Sequence, residues 1–191
     1  MICFIMFFSD KIELSIFSLL TLCSENMTDH IIIKVKDFDV NKVTFGIITH
    51  GKNGMNLYDI LYDEKNFILQ TEVMTTQFGL SKYTVYEMTK YFNTWSIDMS
   101  TINESKTLEN KLKQLQEIIK NKFNTNDVFP FVNEKNAKFK PFIKVKIDHP
   151  KIVDKDIKKG SEIMALVEFP KLFQTTSTYF MPLKLCKIKL M

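Results

Sequence analysis

Between Ile31 and Leu190 the sequence is dominated by short apolar–polar alternations, broken once by a helical period. Successive side chains on a strand point to opposite faces, so each alternation buries one face and wets the other. Segments 31–36, 43–49, 56–62, 67–74, 91–99, 139–147, 162–169 and 183–190 read as strands on this pattern and on their β-rich composition. Gly51-Lys52-Asn53-Gly54 reads as a hairpin turn, since Gly and Asn tolerate the positive φ such turns require. Asp63-Glu64-Lys65-Asn66 is a second polar turn. Short strands joined by tight turns predict an antiparallel meander, and hence a barrel or sandwich.

The helical period runs over about 104–123, where Leu108, Leu112, Leu115, Ile119 and Phe123 fall on one face among Lys and Glu. Thr101 and Glu104 have the spacing of a capping box. The stripe is too short for the three or four heptads of a coiled coil. It is expected to pack on the open end or side of a barrel. Segments 124–138 and 148–160 read as loops.

The residues needed for common catalytic devices are missing or scattered. Cys3, Cys23 and Cys186 form neither a disulfide framework nor a zinc pair, and His30, His50 and His149 have no metal-ligand spacing. No P-loop, GxGxxG or GxSxG is present. Asp37 with Asp39, and Asp154 with Asp156, sit among turn residues. The expectation is a non-enzymatic intracellular protein without metal or cofactor.

Residues 1–26 are apolar and Phe-rich but interrupted at 9–13. The remaining apolar run is about a dozen residues, short of the ~20 a transmembrane helix needs, so no membrane role is expected. Neither a basic n-region nor an A-x-A site marks a signal peptide. Met27-Thr28-Asp29-His30 reads as an ordinary start, which makes 1–26 an extension and 27–191 the single working domain. That domain carries 25 Lys against 19 acids, a net charge of +6.

All 26 basic residues are Lys, and Ala occurs only at 137 and 165, a bias an AT-rich genome produces by itself. Placement therefore matters more than number. Across 134–160 nine Lys face four acids, so this stretch supplies +5 of the domain's +6. Within Phe139-Lys140-Pro141-Phe142-Ile143-Lys144-Val145-Lys146-Ile147 the odd positions give an apolar inner face. Lys140, Phe142, Lys144 and Lys146 give an outer row of three cations and one ring. Cations for phosphates and flat rings for bases are what a single-stranded nucleic acid requires. Lys138 flanks the row, Lys52 lies in the Gly-bounded hairpin, and Phe173 and Tyr179 border the polar turn 174–178. Loop-tip rings have less reason to be core than Trp95, which shares a strand face with Tyr91, Ile97 and Met99. Lys lacks the bidentate fork of Arg, so little sequence preference is expected.

Three short motifs add a resemblance. Leu69-Gln70-Thr71, Phe78-Gly79-Leu80-Ser81 and Trp95-Ser96-Ile97-Asp98-Met99-Ser100 resemble the OB-fold single-stranded-DNA-binding proteins of nucleocytoplasmic large DNA viruses, of asfarvirus and phycodnavirus type. The likeness spans roughly 31–190; Glu72 stands where the family pattern has Pro, and Met181-Pro182 where it has a Gly turn. It implies a mainly β fold, an OB-type antiparallel β-barrel with one amphipathic helix inserted at about 104–123. It further implies an accessory that coats single-stranded DNA in replication, repair or recombination, alongside replication proteins or further copies of itself. The location would be the viral replication site in host cytoplasm or nucleus, or the virion. The motifs themselves are expected to fix a loop and barrel packing. Two rival expectations stand beside this: a viral interaction domain docking a replication or virion partner, and an RNA- or duplex-binding transcription accessory.

Overall fold

The computed structural model describes residues 30–51, 54–87, 90–102, 106–134, 138–148 and 156–191. The extension 1–26 lies outside them. Among the described residues eleven strands and one α-helix follow in chain order: β1 (Ile31–Lys34), β2 (Val43–His50), β3 (Asn56–Tyr62), β4 (Phe67–Gln70), β5 (Met74–Glu87), β6 (Lys90–Thr101), α1 (Thr107–Phe123), β7 (Ile143–Ile147), β8 (Glu162–Glu168), β9 (Leu172–Gln174), β10 (Tyr179–Phe180) and β11 (Leu183–Leu190).

Five strands close a barrel in the order β5-β6-β7-β11-β8 and back to β5. Counted in chain order this is 1-2-3-5-4-1, with β7 and β11 parallel and the other neighbours antiparallel. Among the described residues the architecture is a mainly β, OB-type barrel with one α-helix. A pure meander is thereby corrected, because β11 crosses to lie beside β7 and β1 adds in parallel to β4 on the flank of β8. The remaining strands form a second sheet in the order β10-β9-β3-β2. Gly54, with φ of 74°, serves the β2–β3 turn as its sequence suggested.

The barrel interior is apolar because alternate residues of each strand face it. Ile97 and Met99 on β6, Ile143, Val145 and Ile147 on β7, and Ile163, Ala165 and Val167 on β8 are all buried. The inner face predicted for 139–147 holds only from Ile143 onward. Pro141 brings no backbone N–H to a ladder, and Phe142 makes only an isolated bridge to Asn133, so the alternation does not reach back to Phe139, which is exposed.

Strand β5 was not expected beyond Met74. Its alternation is hidden by a bulge: Thr76 pairs with Met99 and Leu80 with Ile97, so four steps on β5 match two on β6. The additional residues throw Phe78 outward, 41% exposed, and set Gly79 at a φ of 73°. A Cβ at 79 would lie 3.1 Å from the Lys158 carbonyl carbon and the Lys159 nitrogen. Glycine is therefore required twice over, by conformation and by space. Around it Thr76 donates its hydroxyl to the Lys158 carbonyl, and Gly160 donates its N–H to the Thr76 carbonyl at 2.8 Å. The Phe-Gly-Leu-Ser motif thus fixes a loop and barrel packing, as expected, while its Phe faces out.

Helix α1 buries Leu108, Leu112, Leu115 and Ile119, and Phe123 packs against Phe45, Tyr58 and Tyr179. Truncating a leucine such as Leu112, which is wholly buried, costs about 2–5 kcal/mol. The capping box is corrected: Thr101 ends β6, Lys106 is the N-cap residue, and Glu104 lies outside the described residues. Instead Leu108 donates its N–H to Glu72 Oε1 at 3.3 Å, so Glu72 supplies the oxygen an N-cap side chain would. The Thr101 hydroxyl donates to Glu109 Oε1 at 2.7 Å, holding that buried carboxylate against the barrel.

Candidate nucleic-acid interface

The outer face of β6 and β7 is built by the strand period. Because Ile143, Val145 and Ile147 point inward, Lys144 and Lys146 must point out, and both are exposed. Register places Lys144 opposite Asp98 and Lys146 opposite Ser96. Asp98 and Ser96 are themselves buried, 4% and 0% exposed, and Asp98 Oδ1 and Ser96 Oγ make no hydrogen bond to the described residues. Burial pushes the Asp98 carboxyl above the usual carboxylate range, and the Lys144 charge opposes that shift.

On one flank of this row lies a groove of about 450 Å³, lined by Phe129, Phe180, Met181 and Pro182 together with Lys144 and Lys146 of β7. Its position follows from how the chain after α1 is pinned. Val128 bridges Tyr179; Phe129 donates its N–H to the Tyr179 carbonyl at 2.8 Å, and Tyr179 returns one to Asp127 at 2.9 Å. Asn133 and Phe142 exchange a further pair at 2.8 and 3.2 Å. With Val128, Phe131 and Val132 taken into the core, Phe129 is turned out, 62% exposed.

On the other flank is an aromatic patch. Phe78 meets Phe139 edge-on at 5.0 Å and Phe142 edge-on at 5.8 Å. Gln77 Nε2 donates to the Lys140 carbonyl at 2.6 Å and to Ser100 Oγ at 3.0 Å, tying the approach of β7 to the β5 bulge. Lys140, Lys158 and Lys159 are exposed beside it.

Of the predicted site residues, Lys140, Phe142, Lys144 and Lys146 therefore share one continuous region, with exposed Lys138 just before it. Phe173 is half-buried and stacks on Phe180 at 4.9 Å, one ring removed from the groove. Tyr179 corrects the loop-tip expectation: it lies in β10, is 7% exposed and stacks on Phe123 at 4.8 Å. Burial, reinforced by Tyr58, holds its phenol above the ordinary tyrosine value. Lys52 lies outside the described residues, as do Lys135, Lys151 and Lys155. Trp95 is half-buried against the core, with Lys82 Nζ 5.6 Å from its ring centre. Sequence reasoning missed Phe129 and Phe78. The signal for Phe129 was the apolar Phe129-Pro130-Phe131-Val132 cluster inside an otherwise polar loop.

Among the described residues no helix is long and apolar enough to cross a membrane. No family model, no curated protein and no solved structure matches the chain.

Proposed function

We propose that this protein binds single-stranded DNA with little sequence preference, as a non-enzymatic accessory in viral DNA replication, repair or recombination. One observation carries the reading. On an OB-type barrel, strands two and three form the face that takes oligonucleotides in proteins of that architecture. Here those strands are β6 and β7; Lys144 and Lys146 stand exposed on that face, with exposed Phe129 in the groove on one flank and exposed Phe78 and Phe139 on the other. Cations that track phosphates and rings that stack bases at ~1–3 kcal/mol each are a sequence-tolerant combination. Viral origin, a place at the host cytoplasmic or nuclear replication site or in the virion, and action beside replication proteins rest on the motif resemblance.

The test is a titration of fluorescein-labelled oligo-dT, the matching RNA and the matching duplex by the full chain, followed by anisotropy at several salt concentrations. Tight oligo-dT binding is expected, weakening by about 0.7 in log K per log salt for each phosphate neutralised, with the matching duplex much weaker. Equal binding to duplex or RNA would move the protein to the transcription reading.

A second reading has its own observation. Strand β2 is an edge of the second sheet, and on it Ile47 is 84% and Ile48 45% exposed. An edge with apolar residues is a place where another chain can add. If all nucleic acids fail at low salt while Ile47→Lys removes a stable partner from pull-downs, the interaction-domain reading replaces the first.

A further inference from the structure

We propose that the groove beside β7 is a pocket for one unstacked nucleotide, with its base against Phe129 and Phe180 and its phosphate against Lys144 and Lys146. The inference rests on the single-strand reading and adds to it a position where one base leaves the stack.

Three observations carry it. The volume, about 450 Å³, lies within the roughly 300–1,000 Å³ of small-molecule pockets. The lining divides into an apolar wall and a cationic edge, the two halves of a nucleotide. Phe129, 62% exposed, stands on backbone held by hydrogen bonds on both sides, so little loop ordering is needed on binding. Phe180 is fixed in turn by its stack on Phe173, at an interplanar angle of 14°. Apolar walls accept any base by its face, which suits a ligand of mixed sequence. A duplex could enter only by extruding a base, at a cost of a few kcal/mol, so the pocket itself disfavours paired DNA.

The experiment uses the full chain and oligo-dT bearing a single 5-iododeoxyuridine, irradiated and mapped by peptide mass spectrometry. The crosslink is expected on Phe129 or Phe180. Phe129→Ala should weaken oligo-dT binding roughly 5- to 140-fold, with an unchanged salt slope because no phosphate contact is removed. Phe129→Tyr should restore it. Circular dichroism checks that each variant is folded. Wild-type affinity in Phe129→Ala, or crosslinks confined to Phe78 and Phe139, would overturn the pocket while leaving single-strand binding intact. Failure of the wild-type chain to bind any oligonucleotide would overturn both.

Discussion

The two aromatic flanks of the β7 lysine row differ in how their rings are already occupied. Phe78, Phe139 and Phe142 meet edge-on, at interplanar angles of 80° and 88°, so each ring spends surface on another. Phe129 stands away from that arrangement, on backbone pinned by Tyr179. Edge-to-face pairs are worth about 0.5–1.5 kcal/mol beyond burial, which a base stacking on the patch would have to match before adding anything. The comparison teaches that exposed aromatics near cations are not equivalent. The patch ties the β5 bulge to the start of β7 through its ring pairs; in the groove Phe180 already stacks on Phe173, and the ring face still to be covered is that of Phe129.

The largest expected effect tests what the two flanks share. Replacing Lys140, Lys144 and Lys146 together by Glu should abolish oligo-dT binding at moderate salt, with circular dichroism unchanged because all three are exposed. Reversing three charges, a change of six units on one face, is far outside what the rings can offset. Unchanged affinity in a folded variant would remove the face from the argument altogether.

Next in size is Gly79→Ala, which attacks the brace. A left-handed φ costs a non-glycine residue roughly 1–2 kcal/mol, and the new Cβ would press on the Lys158–Lys159 backbone at 3.1 Å. A loss of about 2–3 kcal/mol in urea unfolding is expected, with oligo-dT affinity of the folded protein little changed. If affinity collapses while stability holds, the bulge belongs to the binding surface.

The comparison itself is sharpened by Phe78→Ala beside Phe129→Ala. The patch variant should lose about 1 kcal/mol of stability and a few-fold at most in affinity. The groove variant should do the reverse. Equal losses of affinity would make both flanks part of one stacking track.

How much of this was legible follows from the same residues. The strand period gave the inner face of β7 and the outer Lys144 and Lys146, and the helical period gave the buried face of α1, because both rest on local spacing. The capping box and the loop-tip reading of Tyr179 failed because distant partners decided them: Glu72 reaches the helix terminus, and Phe123 receives the Tyr179 ring. Strand β5 was hidden because a bulge of this size destroys the alternation by which strands are recognised. Phe129 became a site residue only through hydrogen bonds to Tyr179, fifty positions away, which no window on the sequence contains. The closed barrel order likewise depends on β11 crossing to β7, a pairing with no local signature.

The smallest expected effect concerns what lies beneath the lysine row. Asp98 sits buried opposite Lys144, its carboxyl held above the ordinary range by desolvation. The folded chain therefore keeps the Asp98 proton to higher pH than the unfolded chain, whose carboxyl titrates at about 3.9. Stability from this group is greatest below that value and is lost as pH rises through the raised one. Asp98→Asn removes the loss, so it should be more stable than the parent at neutral pH and equal to it in acid. The same change removes an anion that shares Lys144 with any incoming phosphate, so oligo-dT binding should tighten a few-fold at neutral pH. Urea midpoints and anisotropy titrations at matched pH values measure both. A variant less stable than the parent at neutral pH and equal to it in acid would mean that the Asp98 carboxylate, through its charge on Lys144, holds the row in place instead of weakening its pull on phosphate.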